Sequence, residues 1–109
     1  MSEPMRAQIL RHGIALTCGS RDEEYGPPAV NLACAGELKR VIRRFMGREI
    51  GPAEQEALDM VLTKVARLVT GQPKPDTYVD GATYFAIAGE VSLSQDQYST
   101  AQDDWREPQ

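Results

Sequence analysis

Between Pro52 and Gly71 the chain sets Leu58, Val61, Leu62, Val65, Leu68 and Val69 three and four residues apart. That spacing follows the 3.6-residue turn of an α-helix and not the two-residue alternation of a strand. Pro52 suits a first helical turn, and Gly71 a C-terminal stop. A helix with so narrow and apolar a stripe must bury it. The rest of the chain offers other helices for the purpose and no credible pair of strands. The stripe therefore predicts an all-α fold, a bundle of about four helices.

The other three helices follow from similar patterns. Pro4 to about Thr17 carries Met5, Ile9, Leu10, Ile14 and Leu16, with Gly13 weakening it by roughly 1 kcal/mol relative to alanine. Residues 18–28, with Gly19, Gly26, Pro27 and Pro28, read as a loop rich in functional groups: Arg21, three carboxylates and Tyr25. A second helix runs from Pro28 or Ala29 to Met46. On it Cys34, Leu38, Val41 and Phe45 form an expected buried stripe, and Asn31 lies at its edge, where a buried amide needs a partner. The fourth helix starts after Pro75, with Asp76 placed as its N-cap, and reaches Val91 or Leu93. Its expected packing face is Val79, Ala82, Ala86, Gly89 and Leu93; Asp80, Tyr84, Ile87 and Val91 make a second stripe. Residues 94–109 are polar, acidic and aperiodic, and read as a flexible tail behind a helical domain of residues 1–93. Trp105 stands to anchor that tail on the body or on another subunit.

Composition narrows the function classes. At 109 residues the chain is long enough for one domain. No apolar run approaches the roughly 18 residues of a membrane span, and the N-terminal residues lack a signal-peptide apolar region. Cys18 and Cys34 show no metal-ligand spacing and read as reduced thiols of a cytoplasmic protein. The net charge of −4 resides in residues 90–109, leaving the body neutral. Lys39, Arg40, Arg43, Arg44 and Arg48 make its one basic cluster, which reads as a solvated helix face. A balanced body and an acidic tail argue against binding to duplex nucleic acid. No phosphate-binding glycine loop is present.

The candidate chemistry lies between Asp59 and Tyr84. Lys64 and Arg67 share one side of their helix, and Asp76 and Asp80 open the next. Two cations facing two carboxylates could hold a phosphorylated ligand, with or without a metal, or could be ordinary surface ion pairs. Glu56 and Asp59, three apart, have the spacing to share a divalent cation. Asp80 sits on an otherwise apolar stripe, where a carboxylate calls for a cation, a metal or a strong donor. His12, the only histidine, has no recognisable catalytic partner and reads as a surface residue.

Three runs together resemble the small phage and prophage helical proteins related to MazG: R-D-E-E-Y-G-P-P-A-V-N, A-L-D-M-V-L-T-K-V-A-R-L and K-P-D-T-Y-V-D-G-A-T-Y. The resemblance covers residues 5 to 90. It implies an all-α, MazG-like bundle that acts on nucleoside triphosphates, releasing monophosphate and pyrophosphate with Mg²⁺ held by helix carboxylates, in a homo-oligomer. Carried over, it groups Arg21, Tyr25, Asn31, Lys64, Arg67, Asp76, Asp80 and Tyr84 in one site. In the enzymatic form Asp59, Asp76 and Asp80, with Glu56, would hold the metal and activate water. Arg21, Lys64 and Arg67 would offset charge on the leaving pyrophosphate, Tyr25 or Tyr84 would stack on the base, and Asn31 would read its edge. The wider superfamily also carries E-x-x-E on the preceding helix; here Cys34 and Arg40 flank Glu37 instead, and Thr83 replaces a usual glycine. The missing pair favours a second reading, a protein that sequesters a nucleotide signal without cleaving it. A third is a helical interaction protein in which Lys64 and Arg67 merely pair with Asp76 and Asp80.

Overall fold

A computed structural model describes residues 2–19 and 21–105. The described residues form six α-helices and no strand: α1 (Met5–Thr17), α2 (Arg21–Tyr25), α3 (Pro28–Arg44), α4 (Pro52–Thr70), α5 (Pro75–Ser92) and α6 (Gln95–Asp104). The all-α expectation holds. Two segments differ from it. The loop before Pro28 contains α2, whose first turn carries Asp22, Glu23 and Glu24 against the helix dipole. The expected flexible tail contains α6, started by a reciprocal capping box: the Gln97 N–H donates to Ser94 Oγ at 3.1 Å, and the Ser94 N–H donates to Gln97 Oε1 at 2.8 Å.

Helix α4 is the centre. Its main neighbour is α5, across the four-residue turn 71–74, and α3 lies on its other side. Small residues make these contacts. Ala57 and Ala66 of α4, Thr77 and Ala88 of α5 and Ala35 of α3 are buried, with Ala66 only 1% exposed. Thr77, Gly81, Tyr84 and Ala88 recur at i, i+4, i+7 and i+11, and they form the observed inner face of α5. The expected face is therefore rotated outward, leaving Val79, Ala82 and Ala86 exposed. Helices approach closest where side chains are smallest, and on α5 that rule outweighs apolar size.

Many large apolar side chains consequently lie outside, while Leu58, Val61, Leu62 and Leu68 of the α4 stripe are half-buried. No large side chain is fully buried among the described residues, whereas Met5, Ile9, Leu10, Val41, Phe45, Val69 and Phe85 are exposed, Phe45 by 80%. Of the stripe expected to be buried on the second helix, α3, Cys34 and Leu38 are half-buried, while Val41 and the C-cap residue Phe45 are exposed. Helix α1 touches only α2, and α6 turns away from the other helices, opening a groove of about 470 Å³ between Phe85, Leu93 and Tyr98. Trp105 folds back edge-on to Tyr98, with ring centroids 5.9 Å apart. The radius of gyration is 18.8 Å, against about 13 Å for a compact chain of this length.

Candidate anion-binding cleft around Tyr25

The cleft is built on a backbone junction. Gly26 adopts φ +80, the left-handed region that glycine enters without strain. Beside it, the turn from α2 into α3 runs directly along the C-terminal end of α4. A Cβ on Gly26 would collide with the Thr70 carbonyl oxygen, and one on Gly71 would collide with the backbone of Glu24 and Tyr25. The Gln72 N–H donates to the Glu24 carbonyl at 2.7 Å. Thr70 Oγ1 donates to the Tyr25 carbonyl at 2.8 Å. Asn31 does find the partners its position demands: its Nδ2 donates to the carbonyls of Gly26 at 3.1 Å and Pro27 at 3.3 Å.

This junction holds Tyr25 among three cations. Arg67 lies 4.9 Å from the ring centroid, Arg21 5.2 Å and Lys74 5.4 Å, all within cation–π range. Lys74 also pairs with Glu24 at 3.2 Å, and that hydrogen bond is the main reason its ammonium pKa lies above the ordinary lysine value. Among the described residues neither Arg21 nor Arg67 has a carboxylate partner. Arg21, Tyr25, Asn31 and Arg67 line one cleft of about 150 Å³, together with Asp22 and Leu32. A whole nucleotide needs several hundred Å³, so this cleft has room for one anionic group and its immediate attachment.

The remaining candidate residues lie elsewhere. Lys64 pairs with Asp80 at 3.2 Å; the lysine side chain is 12% exposed and the aspartate 52%. Asp80 is therefore an exposed partner of a largely buried lysine side chain and not the half-buried carboxylate expected. Asp76 is exposed in the first turn of α5, where Lys74 and not Asp76 is the N-cap residue. Asp59 is buried and accepts hydrogen bonds from Arg43 at 3.3 Å and Gln55 at 3.0 Å. Glu56 is exposed. Tyr84 is half-buried on the inner face of α5 and outside the cleft lining. Among the described residues no three histidine, cysteine or acidic side chains converge as metal ligands. Glu56, Asp59, Asp76 and Asp80 are not among any such group in the described residues.

Sequence reasoning passed over Lys74 and Glu24. The signal for Lys74 was available: a residue before proline is held extended, and Lys74, between Pro73 and Pro75, has φ −114 and ψ 136. That backbone aims its long side chain back across the turn toward α2.

Fold and cleft together define a small all-α protein with a cation-ringed tyrosine at the junction of three helices. The chain belongs to the family described as Domain of unknown function (DUF6378), whose family model matches residues 8–92. Comparisons with curated proteins and with solved structures give no match. Among the described residues no helix is long and apolar enough to cross a membrane.

Proposed function

We propose that this chain is a nucleotide-directed protein of the MazG-like, phage type, which acts in the cytoplasm as a homo-oligomer and grips a phosphate group between Arg21 and Arg67. The observation that carries the reading is the pair of guanidiniums on one tyrosine ring, neither of which is ion-paired to a carboxylate among the described residues, although Asp22 also lines the cleft. Arginine forks match phosphate oxygens with two parallel hydrogen bonds. The Tyr25 ring holds both forks in place, and Lys74, which also lies over the ring, is paired with Glu24. Asn31 keeps its carbonyl oxygen for a ligand, because its amide nitrogen is spent on the turn.

Binding without turnover is the form the carboxylates favour. Asp59 is engaged by Arg43 and Gln55, and Asp80 by Lys64. Among the described residues these carboxylates do not converge, and the proposed binding needs no Mg²⁺. Magnesium-dependent cleavage of a triphosphate to monophosphate and pyrophosphate is the alternative that the same experiment tests.

That experiment is a thermal-shift screen of the full chain. It uses common NTPs, dNTPs, NMPs, cyclic dinucleotides and inorganic pyrophosphate, each with Mg²⁺ and with EDTA, and products are followed in the same wells. A ligand at about 100 times its dissociation constant stabilises by roughly 2.7 kcal/mol. The expected result is a shift in EDTA for at least one phosphate ligand. Arg67→Ala should abolish it, and Asp80→Asn should retain it. A shift that needs Mg²⁺ and is accompanied by monophosphate would establish the hydrolase instead. No shift with any phosphate compound would refute the reading.

A further inference from the structure

The geometry points to the outer face of α3 as a seam that pairs, antiparallel, with the same helix of a second copy of this chain. The inference rests on the self-association included in the proposed function and names the surface and register that produce it.

The surface demands a cover. The chain exposes 8735 Å², whereas a compact monomer of 12.0 kDa exposes about 6,000 Å². The excess of roughly 2,700 Å² per chain is at or above the roughly 1,000–2,500 Å² that each partner buries in an obligate homodimer. On α3 the uncovered residues are ordered. Cys34, Leu38, Val41 and Phe45 succeed one another by four, three and four residues, which is the spacing of a coiled-coil seam. Each is exposed or half-buried, and a shallow apolar hollow runs along the seam from Val30 to Val41.

The charges beside the seam select the partner and the direction. Glu37 and Arg44 each precede an apolar seam residue by one, Leu38 and Phe45 respectively, so they occupy equivalent positions two turns apart. Both are exposed, and neither has an ion-pair partner among the described residues. Of the other charged groups of α3, Lys39 and Arg43 are partly committed inward, to Thr63 and Asp59, while Arg40 is exposed. A two-fold axis that sets Leu38 against Val41 of the second copy also sets Cys34 against Phe45. In that register Glu37 of each copy comes within two residues of the level of Arg44 of the other, on the same flank, which gives two symmetric ion pairs beside four apolar layers. A parallel pair would place Glu37 beside the apolar Ile42 instead. The face is thus self-complementary in shape period and in charge, as an isologous interface requires.

Sedimentation of the full chain without nucleotide tests the seam, with helical content followed by circular dichroism. Wild-type protein should sediment as a multiple of 12.0 kDa. Glu37→Arg, which sets like charges against each other twice, should raise the dissociation constant about tenfold or more. Arg44→Glu should do the same. The double exchange Glu37→Arg with Arg44→Glu should restore association, because the pair is rebuilt with its signs reversed. A monomeric wild type at about 100 μM would overturn the seam and self-association together. An assembled wild type that Glu37→Arg leaves unchanged would overturn the seam alone, as would a double exchange that fails to restore what the single changes lose.

Discussion

Gly71 joins the cleft to the body of the fold. Its position is fixed by proximity and not by a turn requirement, since its φ of −134 suits any residue. What excludes a side chain there is the backbone of Glu24 and Tyr25, which lies where a Cβ would go. Backbone cannot move aside as a flexible side chain can. Gly71→Ala should therefore push α2 away from α4, costing about 1–3 kcal/mol, and should lose phosphate binding with it. Melting temperature and the ligand-induced shift, measured together, check both effects. Asp59 shows the same logic with charge. Its carboxylate sits between Arg43 and Gln55, so the residue with the strongest burial among the proposed metal ligands serves to tie α3 to α4.

At the level of elements, the turn between α3 and α4 is held by one strong pair. Arg48 donates to both carboxylate oxygens of Glu54, at 3.1 and 2.6 Å. Those hydrogen bonds hold the Glu54 pKa below its ordinary value of 4.5. A carboxylate whose pKa is lowered by folding contributes stability above its unfolded pKa and loses it as pH falls through the folded value. Glu54→Gln should therefore melt below wild type at pH 7, and the gap should close as pH drops beneath 4.5; melting curves across that range check the sign. The elements themselves were largely legible in the sequence. Pro52 and Gly71 bracket α4 where the structure ends it, and α3 and α5 start within a residue or so of expectation. The S-x-x-Q that starts α6 was legible too, but the polar composition after Leu93 masked it. Which face of each helix turns inward was not legible, because periodicity locates an apolar stripe without saying what covers it. On α3 and α5 much of the expected stripe lies outside, and Ala35, Thr77, Gly81 and Ala88 lie inside. Of the candidate site, Arg21, Tyr25, Asn31 and Arg67 do converge. Lys64, Asp80 and Tyr84 do not, because helical spacing alone cannot fix the rotation of α5 against α4.

As a whole, the molecule fully buries only small apolar side chains, among them Ala66 and Ala88, and leaves many large ones exposed. Under the proposed self-association such a chain would gain apolar burial by pairing, and its stability would depend on concentration. Calorimetry at two protein concentrations about tenfold apart should show a melting temperature higher by a few degrees in the more concentrated sample. A monomer would melt at the same temperature in both.

The backbone junction between α2 and α4 also orders events in time. Helices α4 and α5 meet across four residues, and such local contacts form fast. Tyr25 and Thr70 meet only when a loop of 45 residues closes, at an entropic cost of about 2 kcal/mol beyond a four-residue turn. The α4–α5 hairpin is accordingly the part of the fold that forms early, and the cleft is the part that closes late and reopens first. A ligand held by Arg21 on one side of that junction and Arg67 on the other would act as its clasp. Its presence would register as slower opening of residues 21–31 long before it altered the hairpin.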